Sequence, residues 1–231
     1  MKYENIEKGT FLERPNRFIA KVQIDGQVET CHVKNTGRCR ELLHPGAKLY
    51  LQYCDREKRK TKYDVIAVEK NGQIINMDSQ IPNRVVEEWL KKSRFFSGTA
   101  HIKPEQKYKN SRFDFYIEDG DTKAFMEVKG VTLEEDHTAR FPDAPTERGV
   151  KHIMELCDCV KNGYDAYLFF VIQMKQIHVL EPNWDTHEAF GLALQKAQKA
   201  GVHIMAYDCV VTEDSIVIDH KIPVDLKRRK K

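Results

Sequence analysis

Long apolar runs are scarce in this sequence. The longest, Ala166 to Ile172, falls far short of the ~20 residues that a membrane-crossing helix needs. The opening residues, MKYENIEKGT, carry acidic side chains and lack the apolar stretch of a secretory signal. The expected location is the cytoplasm, where thiols stay reduced. The six cysteines (Cys31, Cys39, Cys54, Cys157, Cys159 and Cys209) form no C-x-x-C pair. None of the nine histidines joins them at zinc-finger spacing, which argues against a structural zinc. Internal repeats and low-complexity tracts are missing. So are a Gly-rich phosphate loop and a Ser/His/Asp or Cys/His grouping suited to nucleophilic catalysis. A small-molecule enzyme is therefore the least supported class.

Net charge is also low, at +3, but it is unevenly placed. Residues 1–80 hold 15 Lys/Arg against 11 Asp/Glu, a balance of +4; the remainder holds 23 against 24, or −1. The tail KRRKK supplies +5 of that second part, so without it the remainder stands near −6. A basic N-terminal part beside an acidic one suits a protein that grips an anion with one and holds a metal with the other. With 41% hydrophobic and 32% charged residues in 231, the chain has ample core for one large domain or two small ones.

Residues 1–80 read as all-β. Strands are expected at Phe18–Ile24, Gln27–Val33, Lys48–Tyr53, Tyr63–Glu69 and Gln73–Met77, with turns at Asp25-Gly26 and Asn71-Gly72. Gly37–Leu43 is expected to form one or two helical turns. Five short strands suggest a small barrel, and an OB-fold leads because it binds oligonucleotides. Two stretches are strongly basic: Lys34, Arg38 and Arg40, and the loop DREKRKTK with Arg56, Lys58, Arg59, Lys60 and Lys62. Tyr50, Tyr53 and Tyr63 flank that loop. Exposed, they would stack on bases beside phosphate-binding cations; buried, they would belong to the core of an ordinary hairpin.

The segment SRFDFYIEDGDTKAFMEVKGVTL (111–133) reads as a β-hairpin about Gly120-Asp121. That turn sets Phe113 against Val128, Phe115 against Met126 and Ile117 against Ala124 on an apolar face, and Asp114 against Glu127 on the other. Like charges directly opposed across a ribbon repel. A divalent cation between them would convert the repulsion into binding, and Lys129 lies on the same face as Glu127. The bland alternative is a solvated face with an ordinary Glu/Lys pattern. Before the hairpin, PNRVVEEWLKK reads as a helix capped by Asn83 or Ser79, offering Glu87 or Glu88 as a third carboxylate. A short strand is expected at Ala100–Lys103. After the hairpin, Glu134–Arg140 reads as a loop. Thr146 caps a helix with Arg148 and Lys151 one turn apart, and either a phosphate or plain solvent suits them. A buried strand over Ala166–Met174 follows. Then come a strand at Gln176–Leu180, a helix at Thr186–Ala200 ended by Gly201, a strand at Val202–Tyr207 and an edge strand at Ser215–Ile218. This is a mixed sheet with helices, α/β overall.

NSRFDF (110–115), MEVKGVTL (126–133), FPDAPTERGVKH (141–152), HVKNTGRCRELL (32–43) and AGVHIMAY (200–207) resemble the sugar fermentation stimulation protein A family. One departure is Lys109, where that family's pattern has Gly. The resemblance implies an OB-fold domain over 1–80, a PD-(D/E)XK nuclease-like domain with a mixed sheet flanked by helices over 81–226, and a basic tail over 227–231. It implies Asp114 and Glu127 as metal ligands, with Glu87 or Glu88 completing the set, and Lys129 as the catalytic lysine. Arg148 and Lys151 become phosphate-side groups. Mg²⁺ or Mn²⁺ is the implied cofactor, with the Val128 carbonyl nearby, and DNA, or alternatively RNA, the implied partner. Homo-oligomerisation stays open. Two function classes follow: a metal-dependent nuclease, or a non-enzymatic DNA-binding regulator of sugar metabolism genes.

Overall fold

The computed structural model describes residues 1–35, 37–54 and 59–228. The N-terminal part contains β1 (Ile6–Asn16), β2 (Ile19–Ile24), β3 (Gln27–Val33), β4 (Lys48–Tyr53) and β5 (Tyr63–Lys70). β1 pairs with β2 and β2 with β3; β3 lies parallel to β5, and β5 pairs with β4, which returns to β1. This closed ring of order 1-2-3-5-4 is the OB-like barrel. β6 (Gln73–Asn76) is appended to β5 outside the ring. The Gln73 strand is therefore present but is not the fifth stave; that place belongs to β1. β1 escapes a periodicity reading because one of its inward positions is a glycine. A Cβ at Gly9 would stand 2.6 Å from Val22 and 2.9 Å from Leu51, so the small residue lets the barrel walls meet. Of the one or two helical turns expected at Gly37–Leu43, a single turn forms over Cys39–Leu43 and does not extend into a helix. Cys39 takes φ +46°, and Leu42 and Leu43 both donate to its carbonyl in a tight turn.

The second part runs α1 (Ile81–Lys92), β7 (His101–Tyr108), β8 (Ser111–Asp119), β9 (Thr122–Val131), β10 (Glu134–Glu135), β11 (Thr138–Phe141), α2 (Glu147–Lys161), β12 (Asp165–Ile172), β13 (Val179–Pro182), α3 (Glu188–Ala200), β14 (His203–Val211) and β15 (Ile216–Ile222). Its main sheet has the order β15-β14-β12-β9-β8-β7. β9, β12 and β14 are parallel at the centre and the edges are antiparallel. The apolar stripe of α1 (Val85, Val86 and Leu90) packs one face with Phe115, Ile117, Met126 and Val128. Ile153, Leu156 and Cys157 of α2, with Phe190 and Leu194 of α3, cover the other.

Several boundaries differ from the sequence reading: β13 covers Val179–Pro182 rather than Gln176–Leu180, β14 and β15 run on past Tyr207 and Ile218, and α3 starts at Glu188 rather than Thr186. Residues 134–140 form the β10–β11 hairpin rather than a loop, anchored where Lys70 bonds the Glu134 carboxylate (2.7 Å) and carbonyl (3.1 Å). β7 extends well past Lys103. Helix caps follow local chemistry. Thr146 Oγ1 accepts from Gly149 N–H at 3.0 Å, and Gly201 takes φ +95° after α3. α1 departs from expectation, because Gln80 is its N-cap and bonds no helix N–H with its side chain. Ser79 Oγ instead donates to the Lys34 carbonyl, and Asn83 lies inside the helix with its amide free for another task.

The two parts are joined by a buried polar lattice. Gln173, 2% exposed at the end of β12, donates from Nε2 to Asn76 Oδ1 (2.9 Å), Asn76 O (3.1 Å) and Asp78 O (3.2 Å). Asn76 donates to Tyr3 Oη at 3.0 Å, and Lys34 pairs with Asp78 at 2.7 Å. Lys2 bridges to Ser215 and Tyr3 N–H donates to Asp214 O, so the chain start lies against the β14–β15 hairpin.

Candidate functional site

β9 occupies the middle of the sheet, between β8 and β12, and carries the acidic site at its C-terminal half. The hairpin register is the expected one from Asp119–Thr122 through Ile117–Ala124 to Phe115–Met126, and Gly120 takes φ +59° at the turn. There the β8–β9 ladder ends. Phe113 does not join Phe115 on the α1 face. It packs with Phe125 (5.5 Å between rings) and His152 (6.1 Å) on the α2 face. Residues two apart share a face in a regular strand, so β8 switches faces at Asp114. Opposite the switch, between the paired Pro104 and Gln106, Glu105 takes φ +57°.

Asp114 consequently does not oppose Glu127 as a ladder pair. Its carboxylate turns toward α1 and into the gap at the end of the ladder. Asn83 Nδ2 donates to Oδ1 at 2.7 Å and Val128 N–H donates to Oδ2 at 2.7 Å. Burial, and then the charge of Glu127, push the Asp114 carboxyl above its ordinary pKa. Glu127 is 3% exposed and belongs to the α2 face. Burial alone would raise its carboxyl, yet the hydrogen bond from His152 and the charge of Lys129 bring it below the usual carboxylate value. Lys129 Nζ and His152 Nδ1 both lie 2.5 Å from Glu127 Oε1. Glu127 Oε2 is buried and has no hydrogen-bond partner among the described residues.

That orphaned oxygen tests the fit of a divalent cation. A buried carboxylate oxygen without a donor is costly unless something cationic satisfies it. Carboxylates and a backbone carbonyl are the hard oxygen donors that Mg²⁺ and Mn²⁺ take. Asp114, Glu127 and the Val128 carbonyl suit that set. The α1 side chain bonded to Asp114 is Asn83, one turn before Glu87. Glu87 pairs with Lys91 (2.5 Å) and Glu88 with the N-terminal amine (2.7 Å). Among the described residues, Asp208, Asp219 and His220 also converge, on the far β14–β15 edge. There the Lys175 ammonium already bridges the two carboxylates at 2.8 and 2.6 Å.

The basic residues divide by what they touch. Arg148 Nε lies 3.4 Å from His152 Nε2, which links it to Glu127 through one ring. Lys151 Nζ donates to Asn110 O at 3.2 Å, beside the β7–β8 turn where Lys109 takes φ +48°. Glycine would meet that backbone demand without strain, which Lys109 does not. Arg38 and Arg40 are exposed and line a groove with Arg14, Arg17 and Leu43. Arg14 is spent on structure, donating to the carbonyls of Arg17 and Asn35 at 2.7 and 2.8 Å and to that of Arg38. Next to this turn, a Cβ on Gly37 would fall within 2.4 Å of Asp143 Oδ2, so the barrel's Arg loop abuts the segment leading into α2. Arg59 is held by the buried Asp64 carboxylate, whereas Lys60 and Lys62 are exposed. Arg56 and Lys58 lie outside the described residues. Tyr50 is 3% exposed and part of the core, and Tyr53 and Tyr63 meet edge to face at 5.4 Å. A stacking platform of three tyrosines is not formed.

Two contributors escaped the sequence reading. Asn83 looked like a cap, and neutral amides give no charge signal. His152 sits one helical turn after Arg148, a spacing that places them on one face. Its partner Glu127 is far away in sequence.

Comparison with known proteins covers both parts of the chain. The SfsA N-terminal OB domain matches residues 12–77, and the sugar fermentation stimulation protein RE domain matches residues 80–215. A sugar fermentation stimulation protein homolog of Desulfitobacterium hafniense is 62% identical over 226 residues, covering 98% of this chain and 99% of that one. A homolog from Ruminiclostridium cellulolyticum is 58% identical over 226 residues, covering 98% and 100%. A solved structure, Pyrococcus furiosus SfsA in complex with Ca²⁺, superposes with a TM-score of 0.88 at 28% identity, covering 97% of this chain and 98% of that one.

Proposed function

The chain belongs to the sugar fermentation stimulation protein family, and we propose that it binds DNA and hydrolyses phosphodiester bonds with Mg²⁺ or Mn²⁺ at Asp114 and Glu127. The observation that carries this reading is the bare, buried Oε2 of Glu127, beside a second carboxylate whose ionisation Glu127 opposes. The Pyrococcus furiosus relative, solved in complex with Ca²⁺, supports binding of a divalent cation by this chain. When bound, the cation supplies Lewis-acid polarisation of a phosphoryl oxygen and lowers the pKa of a water.

The chain's own residues do the rest. Asn83 and the Val128 N–H hold Asp114 in place at 2.7 Å each, so the ligand needs little reorganisation. Lys129, its side chain 17% exposed, keeps its ammonium at the Glu127 carboxylate, where it can donate to charge developing on phosphate and orient the attacking water. Arg148, on the same helix as His152, is placed to take a neighbouring phosphate oxygen. Arg38 and Arg40, with Lys60 and Lys62, offer the barrel's exposed cations to the backbone of the nucleic acid. Gly37 against Asp143 puts the Arg loop beside the start of α2, so one strand can run from the barrel to the carboxylates. Free, mostly buried cysteines suit a cytoplasmic protein, and among the described residues no helix is long and apolar enough to cross a membrane.

The test is incubation of the purified chain with single- and double-stranded DNA and RNA in Mg²⁺, Mn²⁺ or EDTA. Cleavage that needs the metal, is lost in Glu127→Ala and Lys129→Ala, and leaves binding intact supports the proposal. DNA binding with no cleavage under either metal assigns the chain to the regulator class instead.

A further inference from the structure

We propose that His152 is a positioning residue for the cation site, fixing the Glu127 carboxylate so that Oε2 faces the metal and tying Arg148 to that same carboxylate. The inference rests on the metal-site reading above and assigns a role to a side chain that touches neither metal nor substrate.

His152 is 5% exposed on α2, its ring edge-on to Phe113 at 74°. Both ring nitrogens are engaged: Nδ1 lies 2.5 Å from Glu127 Oε1 and Nε2 lies 3.4 Å from Arg148 Nε. A guanidinium only donates, so Nε2 is the acceptor and the proton resides on Nδ1, which donates to Glu127. That pairing places a proton on Nδ1, facing Glu127. Lys129 donates to the same Oε1. Two donors converging on one oxygen fix the carboxylate plane and direct the other oxygen away from them. That other oxygen is the one left bare. Groups that orient a metal ligand in this way typically contribute 10–100-fold to metal affinity. The same ring passes the position of Arg148 to the ligand, so the phosphate-side cation and the metal-side anion are held as one rigid unit.

The bland role for a buried histidine is packing, and three substitutions separate it from positioning. His152→Phe keeps the ring against Phe113 and removes both nitrogens. His152→Gln carries its amide near the Nε2 position and loses the donor to Glu127. His152→Asn places an amide N–H near Nδ1 and keeps that donor. The readout is calorimetric titration of the full chain with Mn²⁺ alone, with thermal unfolding in EDTA as the measure of folding. The expected result is a loss of about 10–100-fold in Mn²⁺ affinity for the Phe and Gln variants, with most of it recovered in the Asn variant. If the Phe variant fails to unfold cooperatively, the Gln variant reads the same loss. Affinity equal to wild type in the Phe or Gln variant overturns the proposal and leaves the metal site standing. Equal loss in all three, the Asn variant included, overturns the claim that the Nδ1 donor positions Glu127. A wild-type chain that binds no Mn²⁺ overturns the metal-site reading itself, and this inference with it.

Discussion

Gly130→Ala is the substitution that most directly tests how the site is held. Gly130 follows Lys129 on β9. A Cβ there would stand 2.5 Å from Gln173 Oε1 and 2.7 Å from Pro82 Cγ. Neither neighbour yields easily. The Gln173 amide is fixed by three hydrogen bonds to Asn76 and Asp78, and Pro82 is a rigid ring in the first turn of α1. Relief requires α1 to move outward by several tenths of an ångström, and α1 carries Asn83, whose amide holds Asp114 at 2.7 Å. Overpacking of this kind costs roughly 1–3 kcal/mol. At about 2–4 °C per kcal/mol for a chain of this size, the melting temperature should fall by roughly 2–12 °C. Mn²⁺ affinity should fall with it, because the Asn83–Asp114 bond lengthens. Gly98→Ala is the control: nothing lies within 4 Å of its Cβ, and the change should stay within about ±0.5 kcal/mol. Differential scanning calorimetry and Mn²⁺ titration read both effects. A Gly130→Ala chain with the melting temperature and the Mn²⁺ affinity of wild type would refute the claim that α1 is wedged against β9 and positions Asp114.

Asp64→Asn should destabilise the barrel by roughly 3 kcal/mol at neutral pH, because Arg59 loses its buried partner. Burial works to raise the Asp64 carboxyl, but Arg59, Lys34 and His32 hold its pKa below the ordinary value. A lowered folded pKa gives stability that is present above the unfolded pKa and lost as pH falls through the folded one. Urea unfolding across the acid range should thus show wild type and variant converging at low pH; a constant gap would contradict this. Replacing Arg38 and Arg40 together by Ala should flatten the slope of log K against log salt by about 1.8 on duplex DNA or about 1.4 on a single strand, read by fluorescence anisotropy. Arg59→Ala should leave that slope unchanged, since Asp64 already occupies the guanidinium.

The hairpin at β8–β9 was legible because its turn and its alternation agree over Phe115–Asp119. Alternation breaks at one residue, Asp114, and a rule of period two cannot foresee where a strand changes faces. Glu127 and Lys129 share a face by parity alone and were read correctly together. The Asp114–Asn83 and Glu127–His152 contacts are between elements distant in sequence, so only the packing of α1 and α2 on the sheet reveals them. The barrel was readable from its strand lengths and turns, but not the identity of its closing stave. In β1 the inward glycine and the polar flanks carry no apolar period. The basic loop illustrates the opposite limit. Composition counts Arg59 and Lys60 alike, while burial of Asp64 removes one from any binding surface and leaves the other.

The lattice of Tyr3, Asn76, Asp78 and Gln173 has a bearing on how this chain can be taken apart. Tyr3 sits before the first barrel strand yet is 4% exposed in the core that α1 shares with the large sheet. A cut after residue 80 would strip the sheet of that side chain and leave Gln173 facing solvent with its acceptors gone. The barrel fragment would in turn keep Asn76 and Asp78 without their donor. Chimaeras that exchange the two halves between relatives should therefore fold only when these four residues travel as a matched set, and gene-level shuffling of the halves should be correspondingly rare.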